Sequence, residues 1–268
     1  MKIKHFFLAS LILVFTSCEQ YNSSIRDFTD GESESLNSIG IFTVSSYKQV
    51  TFSPGNLQYH PKNNIWRFAK NQYDHLSGVY NGGWIDFFGW GTGDNPTNKS
   101  TYDFDYAYGV DWGINKIEND LPDTWRTLTS DEWLYLRSYR INAEQLIGIA
   151  EVNGVNGLIL LPDNWCCPDS ITFKAGFDKE WSTLYSQYQA FTKEQWWKLE
   201  KAGAVFLPAA GYSHSIVVEA VQMYGNYWSA TATRYSGSAM QFDFGSAGAG
   251  VSSCNRTYGR SVRLVKDL

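Results

Sequence analysis

The chain has 268 residues, a formal net charge of −5 and 16% aromatic residues, including 11 Trp and 17 Tyr. This length can bury a substantial core, which excludes disorder as the overall state of the chain. The 22 Lys and Arg residues are scattered along the sequence rather than clustered, so we expect no nucleic-acid partner.

The N-terminus has the pattern of an export signal. Lys2 and Lys4 precede the run HFFLASLILVFTS, which is too short to span a bilayer but long enough for a signal-peptide core. The run ends at Cys18 after two small residues, as in a bacterial lipoprotein cleavage site. We predict a signal peptide at 1–17 and lipidation of Cys18, with an ordinary secretory signal as the alternative. The expected location is the cell envelope, at the outer membrane and its surface.

The next segment is polar. Residues 19–40 are rich in Ser, Asp, Glu and Asn, so they cannot bury enough apolar surface to fold. We predict a lipidated tether at 18–40 and a folded domain at 41–268. In that domain IFTVSSYKQVTFSPGNLQYH and NIWRFAKNQY alternate apolar and polar residues, which predicts strands in a hairpin. Residues 77–115 show no sustained period and predict a long, aromatic-rich ordered loop.

Two helices have clear start signals. Thr129 and Glu132 form a T-x-x-E capping box in LTSDEWLYLRSYR. Thr192 and Gln195 form the matching T-x-x-Q box in FTKEQWWKLEKAG, where Gly203 is the expected stop. An apolar run follows each helix, GLILLPDNW after the first and AVFLPAAGY after the second, and we predict a strand from each.

The last part of the chain has a strand pattern. YWSATATRY, SAMQFDFGS, AGVSSCNR and GRSVRLVKD are separated by Gly-containing turns, which predicts a small antiparallel sheet. In the last of these we expect Val262 and Leu264 to face the core. Apart from Cys18 the chain has three cysteines, and the odd number excludes a closed disulfide framework. Pairing of Cys166 or Cys167 with Cys254 stays open.

Several motifs occur in the order of a known family. FSPGNLQY, WRFAKNQYD, WIDFFGWGT, WRTLTSDEW, VNGLILLPDNW, GAVFLPAAGY, YWSATA and GRSVRLV together resemble the Fibrobacter succinogenes major paralogous domain family, found in many lipoproteins of gut Bacteroidetes. The resemblance runs from about Ile41 to Asp267. That family is similar in turn to the C-type-lectin fold and to formylglycine-generating, sulfatase-modifying enzymes. The resemblance implies an α+β, C-type-lectin-like fold, with two helices, twisted and mostly antiparallel sheets, and long aromatic-rich loops.

An enzymatic role is one alternative that the resemblance raises. Formylglycine-generating enzymes use two neighbouring cysteines near the C-terminus, and here only Cys254 lies in that region. A single thiol needs a base, and the sequence does not place His60, His75 or His214 to serve as one. No spacing singles out the two carboxylates of a glycosidase. We therefore predict a non-enzyme, and keep a sulfatase-modifying or carbohydrate-active enzyme, or a structural or adhesin component of a surface fibre, as alternatives.

Calcium is the one cofactor that the sequence leaves open. The loop stretch GDNPTNKSTYDFDYAYGVDWG carries oxygen ligands at Asp94, Asp103, Asp105 and Asp111. Their spacing differs from that of an EF-hand loop, and Asp and Asn also commonly cap turns. These four residues are therefore weak calcium candidates, and we expect no other cofactor.

The C-terminal sheet is the predicted binding surface. In C-type-lectin folds this region displays ligand contacts, and in some members retroelements diversify it by rewriting adenine positions. ATATRYSGSA and SSCNRTYG consist almost wholly of residues that this process produces. Because Tyr and Arg anchor interfaces while Ser, Thr and Asn supply adaptable polar contacts, we predict a contact surface for an extracellular protein or glycan. Its residues are Thr231, Thr233, Arg234, Tyr235, Ser252, Cys254, Asn255, Arg256 and Tyr258, and a solvated sheet edge is the alternative.

Overall fold

A computed structural model describes residues 40–76, 83–97, 109–178, 185–234 and 237–268. The predicted signal peptide, Cys18, most of the predicted tether, Asp103, Asp105 and Tyr235 lie outside these ranges. The described part is an α+β structure of small, mostly antiparallel sheets with few helices, as predicted. No helix among the described residues is long and apolar enough to cross a membrane.

The elements follow one another in this order. The strands are β1 (Phe42–Ser45), β2 (Lys48–Phe52), β3 (Leu57–His60), β4 (Ile65–Phe68), β5 (Arg126–Thr127), β6 (Ile147–Val152), β7 (Val155–Leu160), β8 (Ala190–Phe191), β9 (Val205–Pro208), β10 (Tyr212–His214), β11 (Val217–Glu219), β12 (Gly225–Ala232), β13 (Ser238–Gly245), β14 (Gly248–Asn255) and β15 (Leu264–Asp267). The helices are α1 (Ser130–Ser138), α2 (Tyr185–Tyr188) and α3 (Lys193–Lys201), and short 3₁₀ turns occur at Trp112–Ile114 and Ala143–Gln145.

The strands form three sheets and two separate hairpins. The first sheet has the order β1-β2-β15-β5, so the last strand of the chain lies between early strands. The second has the order β8-β6-β7-β9, and its only parallel pair is β6 with β8. The third, which we call the C-terminal sheet, is the meander β12-β13-β14. The hairpins β3-β4 and β10-β11 complete the described pairings of named strands.

Both capping boxes are confirmed. The Thr129 hydroxyl accepts from the Glu132 amide at 3.2 Å, while the Glu132 carboxylate accepts from the Thr129 amide at 2.9 Å. Thr192 and Gln195 repeat this arrangement at 3.3 and 2.9 Å. Each box satisfies two amides that the first helical turn leaves without partners, which explains why both helices begin where the sequence predicted. Helix α3 ends before Gly203, whose φ of +94° favours glycine.

The main core lies between helix α1 and the C-terminal sheet. Trp133 of α1 is fully buried and stacks on Phe242 of β13, with ring centroids 4.6 Å apart and an interplanar angle of 7°. On its other side the Trp133 ring lies 5.9 Å from that of Phe52 in β2. This one indole therefore joins the helix, the first sheet and the C-terminal sheet.

The predicted aromatic loop is ordered where it is described. Trp90 and Trp112 are buried in a second core cluster, while Trp84 is half-buried, with the Arg67 guanidinium 3.6 Å from its ring centroid. The Trp90 indole donates to the Ser229 carbonyl at 2.8 Å. The irregular segment is thus attached to the core by the burial of two tryptophans and by the hydrogen bond of Trp90 to backbone.

The final strand is shorter than GRSVRLVKD predicted. Pairing in β15 begins at Leu264, and the preceding residues make only single bridges, such as Ser261 with Tyr227. Val262 faces the core as predicted, but Arg263 on the other face is also completely buried. Burial lowers the pKa of the Arg263 guanidinium to about 10. The segment before Leu264 therefore pairs with several neighbouring segments through single bridges instead of with one strand along its length.

Cys167 and Cys254 are free thiols. The pairing of Cys254 with Cys166 or Cys167, left open by the sequence, therefore does not occur.

Buried Asp86 predicts an unusual pH dependence of stability. Its Oδ2 accepts from the Leu76 amide at 2.8 Å, and burial raises the pKa of its carboxyl from 3.8 to about 7. The folded state therefore retains a proton that the unfolded chain loses at lower pH, so the free energy of unfolding should fall as pH rises from about 4 to about 7. Denaturant unfolding across this range should show that Asp86→Asn removes this decline.

Two other carboxyls oppose this effect only at lower pH. Arg126 lowers the pKa of Glu132 and of Asp267, so their contribution to stability is lost as pH falls below the usual carboxyl range. The matched control is Asp94→Asn, because Asp94 is exposed. A decline of equal slope in Asp86→Asn and the unchanged protein would contradict the prediction.

Candidate functional site

The C-terminal sheet has two different faces. Phe242 and Phe244 of β13 pack toward α1, together with Tyr227 of β12 and Val251 of β14. Because neighbouring strand residues point to opposite faces, Gln241 and the alternate residues of its partner strands lie on the other side. That second face is mixed: Trp228 and Ala239 are fully buried in the second core cluster, and Gln241 is 6% exposed. Its partly exposed polar residues, Asp243 and Ser252, lie near the positions that the sequence predicted for binding.

A hydrogen-bond network crosses this polar face. The Gln241 amide donates to Asp243 Oδ2 and to Ser252 Oγ, both at 3.1 Å, and the Ser252 hydroxyl also donates to Asp243. The Cys254 thiol donates to Gln241 Oε1 at 3.3 Å. Burial raises the pKa of the Cys254 thiol, and the nearby Arg260 charge offsets only part of that rise. At neutral pH the thiol therefore stays protonated and acts as a hydrogen-bond donor.

Beside this network lies a group of rings around a buried arginine. We call Tyr212, His214, Tyr258 and Arg260 the tyrosine–arginine cluster. The Tyr212 and Tyr258 rings are parallel within 2°, with centroids 5.9 Å apart, and the His214 ring lies 4.6 Å from that of Tyr258. The Arg260 guanidinium carbon is 4.5 Å from the Tyr212 centroid and 5.4 Å from the Tyr258 centroid.

The sequence brings the cluster together through a close backbone approach. The backbones of Ser213 in β10 and of Gly259 exchange two hydrogen bonds, of 2.9 and 2.8 Å. These bonds bring Tyr212 and His214 next to Tyr258 and Arg260. A Cβ at Gly259 would lie only 2.0 Å from Ser213 Oγ and 2.9 Å from Phe87 Cβ. Glycine is therefore required here because no side chain fits between the two segments.

Gly259→Ala is expected to lower the free energy of unfolding by about 1–3 kcal/mol, because the added methyl group forces the two backbones apart. Chemical denaturation of variant and unchanged protein measures the loss. Gly250→Ala in β14 is the matched control, since nothing lies within 4 Å of a Cβ at that glycine. Equal stability of the two variants would contradict a packing requirement at Gly259.

Arg260 leaves part of its guanidinium without acceptors, as the fully buried Arg263 also does, but Arg260 lies beside partly exposed rings. It is 4% exposed, and its Nε and Nη1 are buried without a hydrogen-bond acceptor in the described structure. The tyrosine rings supply favourable cation–π contacts but no acceptor in the guanidinium plane. Tyr212 itself donates its hydroxyl to Glu219 at 2.8 Å, which raises the pKa of the phenol. The rings of Tyr212 and Tyr258 stay partly exposed, and His214 is exposed.

The predicted contact residues have different surroundings. Thr231 Oγ1 accepts from the Ser130 amide at 2.9 Å, and Thr233 donates to the Ser238 carbonyl at 3.0 Å. Arg234 and Asn255 are exposed, and the Asn255 side chain accepts from the Thr257 amide at 2.9 Å, as in a turn. Tyr235 lies outside the described residues.

Arg256 does not have the exposure that a contact residue needs. It is 4% exposed, its Nε donates to the Ser238 carbonyl at 2.9 Å, and its guanidinium carbon lies 4.3 Å from the Trp90 ring centroid. The side chain therefore connects the C-terminal sheet to the aromatic loop. We remove Arg256 from the predicted surface because a buried guanidinium offers a ligand almost no contact area.

The calcium candidates are not assembled in the described structure. Both carboxylate oxygens of Asp111 accept from backbone amides, those of Gly113 at 2.8 Å and Thr127 at 3.0 Å. Asp94 is exposed, and Asp103 and Asp105 lie outside the described residues. Within the ranges that the structure covers, no group of three or more His, Cys, Asp or Glu side chains could hold a metal ion.

Sequence reasoning missed Tyr212, His214 and Arg260. The sequence pattern places Arg260 in the framework motif GRSVRLV, and it does not predict β10-β11 as a hairpin. A signal was present, since GYSH and TYGR each place aromatic or basic residues on either side of one small residue. Their pairing through Ser213 and Gly259 became visible only in the tertiary structure.

The cluster and the C-terminal sheet fall in a part of the chain that resembles a known family. Residues 183–265 match a family model described as "Domain of unknown function (DUF8237)". No curated protein and no solved structure matches the chain. The matched segment is less than half of the chain, and it includes α3, the hairpin β10-β11 and all strands of the C-terminal sheet.

Proposed function

We propose that the protein is a lipid-anchored envelope protein whose folded domain binds an extracellular protein or glycan and catalyses no reaction. The tyrosine–arginine cluster, with the polar face of β13 and β14 beside it, is the proposed contact surface. Tyr258 and Ser252 of the sequence-based surface belong to it, and Tyr212, His214 and Arg260 extend it.

The observation that carries this proposal is the state of Arg260. A buried guanidinium costs free energy unless it is paired, and here two of its nitrogens have no acceptor in the described structure. A carbonyl, carboxylate or hydroxyl oxygen from a ligand would pair them. The partly exposed Tyr212 and Tyr258 rings next to it supply the aromatic area that anchors interfaces.

The fold is proposed to be C-type-lectin-like. Strand β15 pairs with β2 and β5, so the two ends of the domain share one sheet. Two capped helices and a long irregular segment pinned by tryptophans accompany it. These features support the architecture that the motif resemblance implies.

The state of Cys254 supports a binding role over an enzymatic one. A nucleophilic cysteine needs a lowered pKa and an adjacent base. Here burial raises the pKa of the thiol, nearby Arg260 offsets only part of that rise, and the thiol donates to the neutral amide of Gln241. Cys254 therefore helps to hold Gln241 in the polar network.

Lipidation of Cys18 stays a prediction with a direct test. Cells that express the chain with a labelled fatty acid should incorporate the label into the protein, and Cys18→Ser should abolish the incorporation. A labelled Cys18→Ser variant would contradict the anchor.

Diversification by a retroelement is proposed for the same C-terminal region and is tested at the DNA level. A near-copy of the codons for 227–265, with substituted adenines and a reverse transcriptase gene nearby, would support it. Their absence around the gene would contradict it.

The binding function is tested with the full chain in detergent micelles on an array of glycans and extracellular proteins. Hydroxyl-radical footprinting of the resulting complex should show protection at Tyr212, His214 and Tyr258. The exposed ring of Tyr47, on the turn between β1 and β2, serves as the internal control and should stay reactive. Failure to capture any ligand, or protection only at residues outside the cluster and the polar face, would contradict the proposal.

A further inference from the structure

A second concave site is lined by residues other than those of the tyrosine–arginine cluster. A cavity of about 400 Å³ opens between helix α3, the end of strand β2 and the segment that leads into β9. Its polar lining includes Thr51, Ser53, Gln72, Glu200 and Lys201, and Trp197 contributes an aromatic wall. None of the cluster residues lines this cavity.

Helix α3 presents two faces because two tryptophans occur in succession. Trp196 and Leu199 are three residues apart and both are buried, so they form the core face. Trp197 is rotated by about 100° from that face and is 53% exposed. Glu200 and Lys201 follow it by three and four residues and therefore lie on the same side. Helical spacing thus places an indole, a carboxylate and an ammonium together at the cavity.

The opposite wall is held by bonds within the fold. The Ser53 amide donates to the Leu264 carbonyl at 2.9 Å, and the Ser53 hydroxyl donates to the Gly55 carbonyl at 3.0 Å. The Gln72 amide donates to the Ala204 carbonyl at 3.1 Å and accepts from the Phe206 amide at 2.8 Å. A wall fixed in this way needs little reorganisation when a ligand binds, which favours affinity.

The charges of the cavity restrict the class of ligand. Glu200 disfavours an anion and Lys201 disfavours a cation, so a neutral ligand fits both. The Lys201 ammonium lies over one face of the Trp197 ring, 3.8 Å from its centroid, so a ligand would stack on the opposite ring face. The negative charge of Glu200 also acts on buried Arg263, where it opposes the lowering of the guanidinium pKa by burial.

A neutral sugar ring matches this combination. A pyranose has a face of C–H groups that stacks on an indole and an edge of hydroxyls that both donate and accept hydrogen bonds. A carboxylate accepts from such hydroxyls, and an ammonium donates to them. The volume also lies within the range of small-ligand sites.

We propose that this cavity binds a neutral pyranose unit of a glycan, with Trp197 as the stacking surface and Glu200 and Lys201 as hydrogen-bond partners of its hydroxyls. The site is independent of the tyrosine–arginine cluster and uses no metal ion.

The test follows the Trp197 indole directly. The full chain contains 11 Trp, so the NMR spectrum of a ¹⁵N-labelled sample has few indole N–H signals. The signal that disappears in Trp197→Phe belongs to Trp197. The probes are the methyl glycosides of glucose, galactose, mannose and N-acetylglucosamine. We expect the Trp197 signal to shift saturably with at least one of them and to do so equally in the presence of EDTA. Trp197→Ala should weaken the calorimetric affinity at least about tenfold.

Two control variants and one further cavity variant show whether glycoside binding occurs in this cavity. Tyr47→Ala removes an aromatic ring that is 90% exposed and does not line the cavity, so glycoside affinity should not change. Glu200→Gln keeps the shape of the side chain but weakens acceptance from hydroxyls, and affinity should fall. Tyr258→Ala should leave this titration unaffected, which distinguishes a failure here from a failure of the proposed binding surface. The proposal is overturned if none of the four glycosides shifts the Trp197 signal, or if Trp197→Ala binds as tightly as the unchanged chain.

Discussion

Tyr258→Ala is expected to weaken binding of the array-selected ligand by about thirtyfold or more, the size of a hot-spot loss of about 2 kcal/mol. The Tyr258 ring is parallel to that of Tyr212 at 5.9 Å and contacts His214 at 4.6 Å, so its removal opens the centre of the cluster. The Arg260 guanidinium also loses one of its two aromatic neighbours. Isothermal titration of the ligand into variant and unchanged chain measures the effect.

Two variants show whether the loss arises from the ring. Tyr258→Phe keeps the stacking area and should retain most of the affinity. Tyr47→Ala removes a ring that is 90% exposed and distant in the chain, and should bind normally. An unchanged affinity in Tyr258→Ala would show that the ligand binds elsewhere and would remove the cluster from the proposed surface.

Trp133→Ala is expected to lower the free energy of unfolding by about 3–5 kcal/mol, the usual loss for a large buried aromatic side chain. The reason is that this indole contacts both Phe242 and Phe52, so a single cavity would weaken contacts among the helix and two sheets. Equilibrium unfolding in urea, followed by far-ultraviolet circular dichroism, measures the loss.

The control for Trp133 lies at the end of the same helix. Tyr139 is the C-cap residue of α1 and is 66% exposed, so Tyr139→Ala should change the free energy of unfolding by about 0.5 kcal/mol or less. If Trp133→Ala lowered the free energy of unfolding no more than Tyr139→Ala does, the proposed central role of Trp133 in the core would be contradicted.

Local signals in the sequence predicted the helices and the C-terminal sheet well. The capping boxes at Thr129 and Thr192 act within four residues, so their effect does not depend on the rest of the fold. The meander β12-β13-β14 follows from alternating residues and glycine turns, which are also local. The resemblance to a lipoprotein family adds a proposal for fold and location, based on motifs that extend from about Ile41 to Asp267.

Exposure was harder to predict than secondary structure. Arg256 looked like a surface residue because it is charged and follows a polar strand, yet Trp90, more than 150 residues earlier in the chain, covers it. Arg263 lies on the face opposite Val262 and Leu264, and it is fully buried as well. Charge predicts solvent contact only on average, and at Arg256 a tryptophan from a distant loop changed the outcome.

The sequence by itself determined where α1 and α3 begin, which strands form the C-terminal meander, and that Tyr258 stands near its end. Only the tertiary structure decided that Tyr258 stacks on Tyr212 above a buried Arg260, and that Trp197 meets strand β2 across a cavity. The physical reason is the range of the interactions. Caps, turns and alternation act between neighbours in sequence, whereas both candidate sites depend on contacts between segments that the chain brings together only when the whole domain folds.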